Sequence, residues 1–217
     1  MFFDISRLDA GHCYKLLASS IVPRPIAWIV TCDPQGRSNA APFSFFNVFS
    51  GSPPVICVGM GNRDAGPKDS LDNIRKTQEF VINLVSEELA QAMNITAIHA
   101  PPGVNELEMA QLATVPSIKV RPARIERSPV ALECRLRQIL EVDAKNAIVV
   151  ANVVAVHILD DAVTDPQECR IDTARLQLVG RMDSPGGYVH TGDRFTMRTP
   201  SYEEWLQSSR NDKTEGA

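Results

Sequence analysis

The chain has 217 residues, 44% of them apolar and 22% charged, proportions that suit one globular domain with a sizeable core. Its formal net charge of −4 forces no basic face, which argues against a nucleic-acid partner. Five cysteines (Cys13, Cys32, Cys57, Cys134, Cys169) show no CxxC or zinc spacing, and the four histidines are scattered, so neither a disulfide framework nor a metal is expected. The N-terminus lacks the basic-then-apolar plan of a signal peptide, and the longest apolar run, over 147–159, is too short to span a bilayer. The expectation is a cytoplasmic protein with reduced thiols and no membrane segment.

In chain order, PIAWIVTC (25–32) is rich in β-branched and aromatic residues and predicts a strand. It stops at DPQG, where Asp33 and Pro34 suit a turn entry and Gly36 tolerates a positive φ. SNAAPFSFFNVFS (38–50) and PVICVGM (54–60) follow across short turns, so three strands in an antiparallel meander are expected. Pro42 makes the middle one an edge or bulged strand.

A helix is predicted over 69–78, then a strand in EFVINLV (79–85) and a second helix in EELAQAMNITAIH (87–99). The stretch over 100–117 predicts an excursion with a short helical centre. Two long strands follow, over 131–142 and 147–159, joined by a DAKN hairpin turn. The first places Leu132, Cys134, Leu136, Leu140 and Val142 on one face; the second is apolar on both faces, so a second layer or another subunit should cover each side. The fold class expected is mainly β: a closed or split antiparallel β-barrel with a few peripheral helices. One domain is expected over 1–205, with 206–217 as a disordered tail.

Two segments carry the chemistry. VICVGMGNRDAGPKDSLDNI (55–74) has the layout of a strand, an anion-cradling loop and a helix N-terminus. It fails the dinucleotide pattern, because Asp64 follows Gly59 and Gly61 where a third glycine is required. It fails the P-loop pattern too, because Pro67 separates Gly66 from Lys68 and Asp69 separates Lys68 from Ser70. The ingredients of a phosphate site remain: free backbone N–H groups at the helix start, the Ser70 hydroxyl, and the charges of Arg63 and Lys68. A solvated loop with Asp69 or Ser70 as a plain N-cap is the competing reading. In NAAPFSFFNVFS, four of the eight phenylalanines (Phe43, Phe45, Phe46, Phe49) fall within seven residues, interleaved with Ser44, Asn47 and Ser50. That mixture suits either a flat polyfunctional ring or an aromatic core beside turn serines.

Together these segments resemble the flavin reductase-like family, with its FMN-binding split barrel. The likeness is carried by VPRPIAWIVTCDPQGRSNAAPFSFFNVFSGSPPVICVGM and KDSLDNIRKTQEFVINLV, and returns faintly in LVGRMDSPGGYVH. The resemblance implies an FMN-binding homodimer that takes electrons from NADH or NADPH, such as a flavin reductase supplying reduced flavin to a monooxygenase partner. The alternative it leaves open is a non-catalytic FMN electron-transfer protein of flavoredoxin type. By the same resemblance, Ser44, Phe45, Phe46 and Asn47 would edge the isoalloxazine ring and ribityl chain. Lys68, Asp69 and Ser70 would hold the phosphate, with Arg63 nearby and serine standing at 70 where threonine is common. Arg24, between two prolines, would reach the phosphate or brace the chain entry. His190, after a glycine pair, would lie over the ring to steer nicotinamide or protonate reduced flavin, or be an ordinary surface or core histidine.

Overall fold

The computed structural model describes residues 1–61, 69–101, 103–183 and 186–206. After helix α1 (Ala10–Ser20) come strands β1 (Ala27–Cys32), β2 (Ser38–Phe43), β3 (Phe46–Gly51) and β4 (Pro54–Gly61). Helix α2 (Asp69–Thr77), strand β5 (Glu79–Asn83) and helices α3 (Ala90–Ile95) and α4 (Glu106–Met109) follow. A small hairpin, β6 (Thr114–Val115) with β7 (Arg124–Ile125), leads into the long strands β8 (Val130–Glu141) and β9 (Asn146–Ile158). Two more hairpins close the described chain: β10 (Val163–Asp165) with β11 (Arg170–Ile171), and β12 (Val179–Arg181) with β13 (Tyr188–His190). The expected tail falls, apart from Leu206, outside the described residues.

One seven-stranded antiparallel sheet, in the order β2-β1-β5-β8-β9-β4-β3, makes the body. It is the split barrel with peripheral helices that the sequence predicts. β1 is buried along its whole length because both faces are covered. Ile29 joins Ile56, Val58, Phe80, Ile82 and Val149 inside the barrel, while Trp28 and Val30 pack outward against Val85, Met93 and Leu107. The Trp28 indole N–H is satisfied by Thr96 Oγ1 at 2.8 Å, so burying it leaves no orphan donor. At the end of β1, Asp33 accepts N–H bonds from Gln35 and Arg37, and Gly36 takes φ 86°, a left-handed value that costs glycine little.

Three expectations need correction. SNAAPFSFFNVFS is two strands, not one, and β2 and β3 lie at opposite ends of the sheet order rather than side by side in a meander. The chain turns out of β2 at Ser44–Phe45, where the Phe45 carbonyl accepts from Gly59 N–H at 2.7 Å. A Cβ on Gly59 would lie 3.0 Å from Phe45 Cβ, so that approach depends on glycine. Second, β8 and β9 slip register at Glu133/Cys134 and again at Leu136/Gln138. The second slip, which adds a residue on β8, turns Ile139 toward the barrel core and leaves Leu140 and Val142 exposed, which breaks the single apolar face expected there. Third, α2 stops one residue early because Gln78 adopts φ 64°.

Candidate functional site

β2 lies at one end of the sheet order, as Pro42 requires. Its Ala40 N–H is taken by the buried Glu106 carboxylate of α4 at 3.1 Å, which presses the short helix onto the edge. On the other side, the Asn39 side-chain amide donates to Ser70 Oγ at 2.8 Å, both groups buried, and so ties β2 to the start of α2. Asn73, one turn on, donates to Thr31 Oγ1 at 3.0 Å. These bonds fix the N-terminus of α2 beside the outer edge of β2.

Two adjoining hollows run along that edge and share Pro42 and Ala97 in their walls. The first, about 180 Å³, is bounded by Asn39, Asp69, Ser70, His99 and Glu106. The second, about 350 Å³, is bounded by Ser44, Met93, Asn94, Arg181 and Tyr188. The cleft therefore extends from the N-terminus of α2 to Ser44. Arg181 and Tyr188, paired across the β12–β13 hairpin, close its far wall, with the guanidinium 4.7 Å from the phenol ring centroid. Arg181 is joined to the strand entry as well: its backbone N–H and C=O exchange bonds of 2.8 and 2.9 Å with Arg24.

A separate apolar groove of about 440 Å³ opens on the other side of Ser44. Leu17, Ile21, Phe45, Phe49 and Ile148 line it, with Cys57 and Gly59 at its floor. Burial pushes the Cys57 thiol up, so it stays protonated near neutral pH and is not a poised nucleophile.

The structure sorts the sequence candidates as follows. Ser44 faces both concavities, and Asp69 and Ser70 stand at the opposite end of the cleft. Phe45, Phe46 and Asn47 border the apolar groove instead of the cleft, because the chain turns at Ser44–Phe45 and enters β3 at Phe46. Phe46 also packs on the barrel core. Arg24 is 5% exposed and aims at the last turn of α1, donating to the Ala18 and Ile21 carbonyls and, at 3.4 Å, to Ser44 Oγ. That geometry is what the bracing role expects. His190 is not brought to the cleft: on β13 it pairs opposite Val179, beyond Tyr188, and its Nδ1 lies 3.3 Å from the exposed Glu87 carboxylate. Arg63 and Lys68 lie outside the described residues.

Sequence reasoning missed Asn39, Glu106, Arg181 and Tyr188. Asn39 stood in the quoted Asn-Ala-Ala-Pro stretch, and Tyr188 follows a glycine pair, which is a weak signal. Nothing local marks Glu106 as buried. Among the described residues there is no group of three or more His, Cys, Asp or Glu side chains that could hold a metal ion, and no helix long and apolar enough to cross a membrane.

An elongated cleft with a helix N-terminus at one end and mixed polar and apolar walls at the other suits a ligand built of ring, polyol chain and phosphate. The sequence model of the flavin reductase-like domain matches residues 19–173, which holds every strand of the barrel sheet. The chain belongs to the flavin reductase-like family. A Deinococcus radiodurans relative is 38% identical over 210 residues, covering 94% of this chain and 92% of its own. Among solved structures, the 2-nitrobenzoate 2-nitroreductase of Pseudomonas fluorescens superposes with a TM-score of 0.86 at 29% identity, covering 93% of this chain and 98% of that one. The nitrilotriacetate monooxygenase component B of Bacillus cereus gives 0.84 at 26% identity, covering 91% and 98%. The family is one of flavin-binding split barrels.

Proposed function

We propose that the protein is an NAD(P)H-dependent flavin reductase that holds FMN in the cleft between α2 and Ser44, and that it hands reduced flavin or its electrons to a partner such as a monooxygenase. The observation that carries this reading is the pair of adjoining hollows that run along β2 from the α2 N-terminus to Ser44, with Asn39 hydrogen-bonded to Ser70 at the α2 end.

When bound, FMN supplies the redox chemistry, accepting a pair of electrons from a nicotinamide and releasing them to a second acceptor. The protein's own residues bind and orient. Asn39 fixes the Ser70 hydroxyl at the start of α2, where the positive end of the helix dipole favours an anion. Asp69 and Glu106 make this end negative among the described residues, so a phosphate there draws its balancing charge from Arg63 and Lys68. Ser44 offers a hydroxyl at the ring end. Arg181, steadied on Tyr188, places a cation where extra electron density on a reduced ring would be stabilised.

The same reading includes a homodimer in the cytoplasm. All five cysteines are free, in keeping with a reducing compartment. The outer face of β9 is uncovered at Ile148, which is exposed, and Phe45 and Phe49 extend that apolar patch across the groove. A surface of that kind belongs against another protein chain.

The test is the visible spectrum of the purified protein with FMN, before and after anaerobic NADH or NADPH. Bleaching by one nicotinamide within seconds supports the reductase and names its donor. A yellow protein that bleaches only with dithionite replaces the reductase with an electron carrier. A colourless protein that ignores added FMN overturns the cleft assignment.

A further inference from the structure

The cleft beside β2 does not end at the α2 N-terminus. Asn39 and Asp69, which bound the smaller of its two hollows, also bound a third hollow of about 390 Å³ on the far side. It is larger than either of the first two and falls within the roughly 300–1,000 Å³ of small-molecule sites. One wall is the turn between β1 and β2. The other is a single face of α2, because positions 69, 72, 73 and 76 recur at helical spacing.

Two buried amides stand in these walls. Asn39 and Asn73 are 6% and 7% exposed. Each donates one side-chain N–H, to Ser70 Oγ and to Thr31 Oγ1, and the Oδ1 of each accepts no hydrogen bond among the described residues. Buried acceptors left open at one hollow call for a donor. The charges say which kind. Asp33 already accepts from Gln35 N–H and from Arg37 N–H and Nε, and Lys76 is paired with Asp72. With Asp69, three carboxylates face two cations that are both engaged, so a free phosphate is disfavoured here. Carboxylates and amide oxygens accept, so the group that fits is neutral and carries hydroxyl or amine donors. The Arg37 guanidinium, held at one edge by Asp33 and otherwise exposed, offers a plane on which a flat ring can stack, and Pro34 and Val104 add apolar surface.

A nucleoside combines these features: a flat base with an amine, and a ribose with hydroxyls. FAD is the flavin that carries one beyond its phosphate, being FMN extended by adenosine monophosphate. We propose that the third hollow binds the adenosine end of FAD and makes the cleft selective for FAD over FMN. The inference rests on the reading that a flavin lies along β2 with its phosphate at α2, and extends that ligand from FMN to FAD. The ring keeps its place near Ser44 and the phosphates stay at the start of α2. Adenosine sits between the β1–β2 turn and α2, where Asp72 and the two amide oxygens accept from the ribose hydroxyls and the base amine.

Isothermal titration calorimetry with FAD and with FMN on the full chain tests this. It is run on the wild type, on Asp72→Ala/Lys76→Ala, which removes an exposed ion pair as a unit, and on Val104→Trp, which fills the hollow. Binding of NAD+ and NADP+ to the FMN-loaded proteins is measured alongside. The wild type should bind FAD at least about tenfold more tightly than FMN. Both variants should bring FAD to within about threefold of FMN, while FMN affinity changes by less than about twofold and so reports an intact fold. Equal affinity for the two flavins in the wild type, or a preference for FAD that either variant leaves intact, overturns the inference alone. Variants that weaken NAD+ or NADP+ binding, with FAD and FMN bound alike, assign the hollow to the adenosine of the nicotinamide donor and overturn the FAD assignment. A wild type that binds neither flavin overturns the cleft assignment itself.

Discussion

Replacing Arg24 by methionine separates two roles that a buried arginine near a phosphate-binding fold can play. The guanidinium donates to the Ala18 and Ile21 carbonyls at the end of α1, lies 5.9 Å from the Phe45 ring centroid, and touches Ser44 Oγ only at 3.4 Å. Hydrogen bonds from a charged donor are worth about 1.5–3 kcal/mol each, and an abandoned buried carbonyl costs about 1–3 kcal/mol. The cation also sits favourably at the negative end of the α1 dipole. Against these stands the desolvation of a buried charge, which methionine relieves. The lost bonds exceed that relief, so Arg24→Met is expected to cost about 2–4 kcal/mol of stability. FMN affinity should change by less than about fourfold, because the side chain points at α1 rather than at α2. Urea unfolding followed by tryptophan fluorescence gives the first quantity, and flavin-fluorescence titration gives the second. A variant of normal stability that loses roughly ten- to hundredfold in FMN affinity would show that Arg24 grips the phosphate, and the brace would be wrong.

Lys68→Ala should weaken FMN binding by about 1.5–3 kcal/mol, the range for a hydrogen bond to a charged group; unchanged affinity in the same titration removes Lys68 from the phosphate end. Gly59→Ala puts a Cβ 3.0 Å from Phe45 Cβ and should cost about 1–3 kcal/mol by overpacking. A urea midpoint equal to wild type would mean that the Ser44–Phe45 turn tolerates displacement. Glu133 is fully buried and accepts from Ile118 N–H at 2.8 Å, Lys119 N–H at 2.5 Å and His157 Nε2 at 2.6 Å. Burial pushes its carboxyl up, but the bonds from Ile118, His157 and Lys119 outweigh burial and hold it below the usual value of 4.5. The folded pKa is therefore below the unfolded one, so the stabilisation is full above that value and fades as pH falls through the folded pKa. Glu133→Gln should cost about 2–4 kcal/mol at neutral pH, with the gap to wild type narrowing only in acid; a gap that instead widens in acid refutes the charge assignment.

The parts of the fold legible in the sequence are those that local chemistry decides. PIAWIVTC has no polar alternation, and β1 is buried on both faces; DPQG stops it with a glycine in the left-handed region; Pro42 sits on an edge strand. What was not legible depends on contacts distant in sequence. SNAAPFSFFNVFS contains no glycine to mark its break, because the glycine that permits the break is Gly59 on β4. The bulge in β8 leaves composition unchanged and shifts phase, so an alternation count carries Leu140 to the wrong face. The site divides in the same way. Ser44, Asp69 and Ser70 were marked by residue type beside turns and a helix start, whereas Arg181 and Tyr188 reach the cleft only because a late hairpin docks on the Arg24 backbone. His190 was drawn toward the ring by its neighbours in sequence, and the pairing of β13 with β12 sets it beside Glu87 instead.

A split barrel has two unpaired sheet edges, and unpaired edges invite unwanted pairing. This chain treats its two edges differently. At β2 the protein closes the edge itself: Pro42 has no N–H to offer, Glu106 takes the Ala40 N–H, and α4 lies alongside. At β3 the closure is partial. Asn47 Oδ1 caps the Val48 N–H, at 2.8 Å, while Val48 and Phe49 remain open to solvent. A polar, self-closed edge can border a small-molecule cleft without attracting other chains, and an apolar, half-open one is suited to a protein partner. The two meet at Ser44–Phe45, the one point where the chain passes from edge to edge. On the function proposed above, ligand site and assembly surface would lie back to back across a single turn, and a substitution that moves Phe45 should be felt on both sides of it.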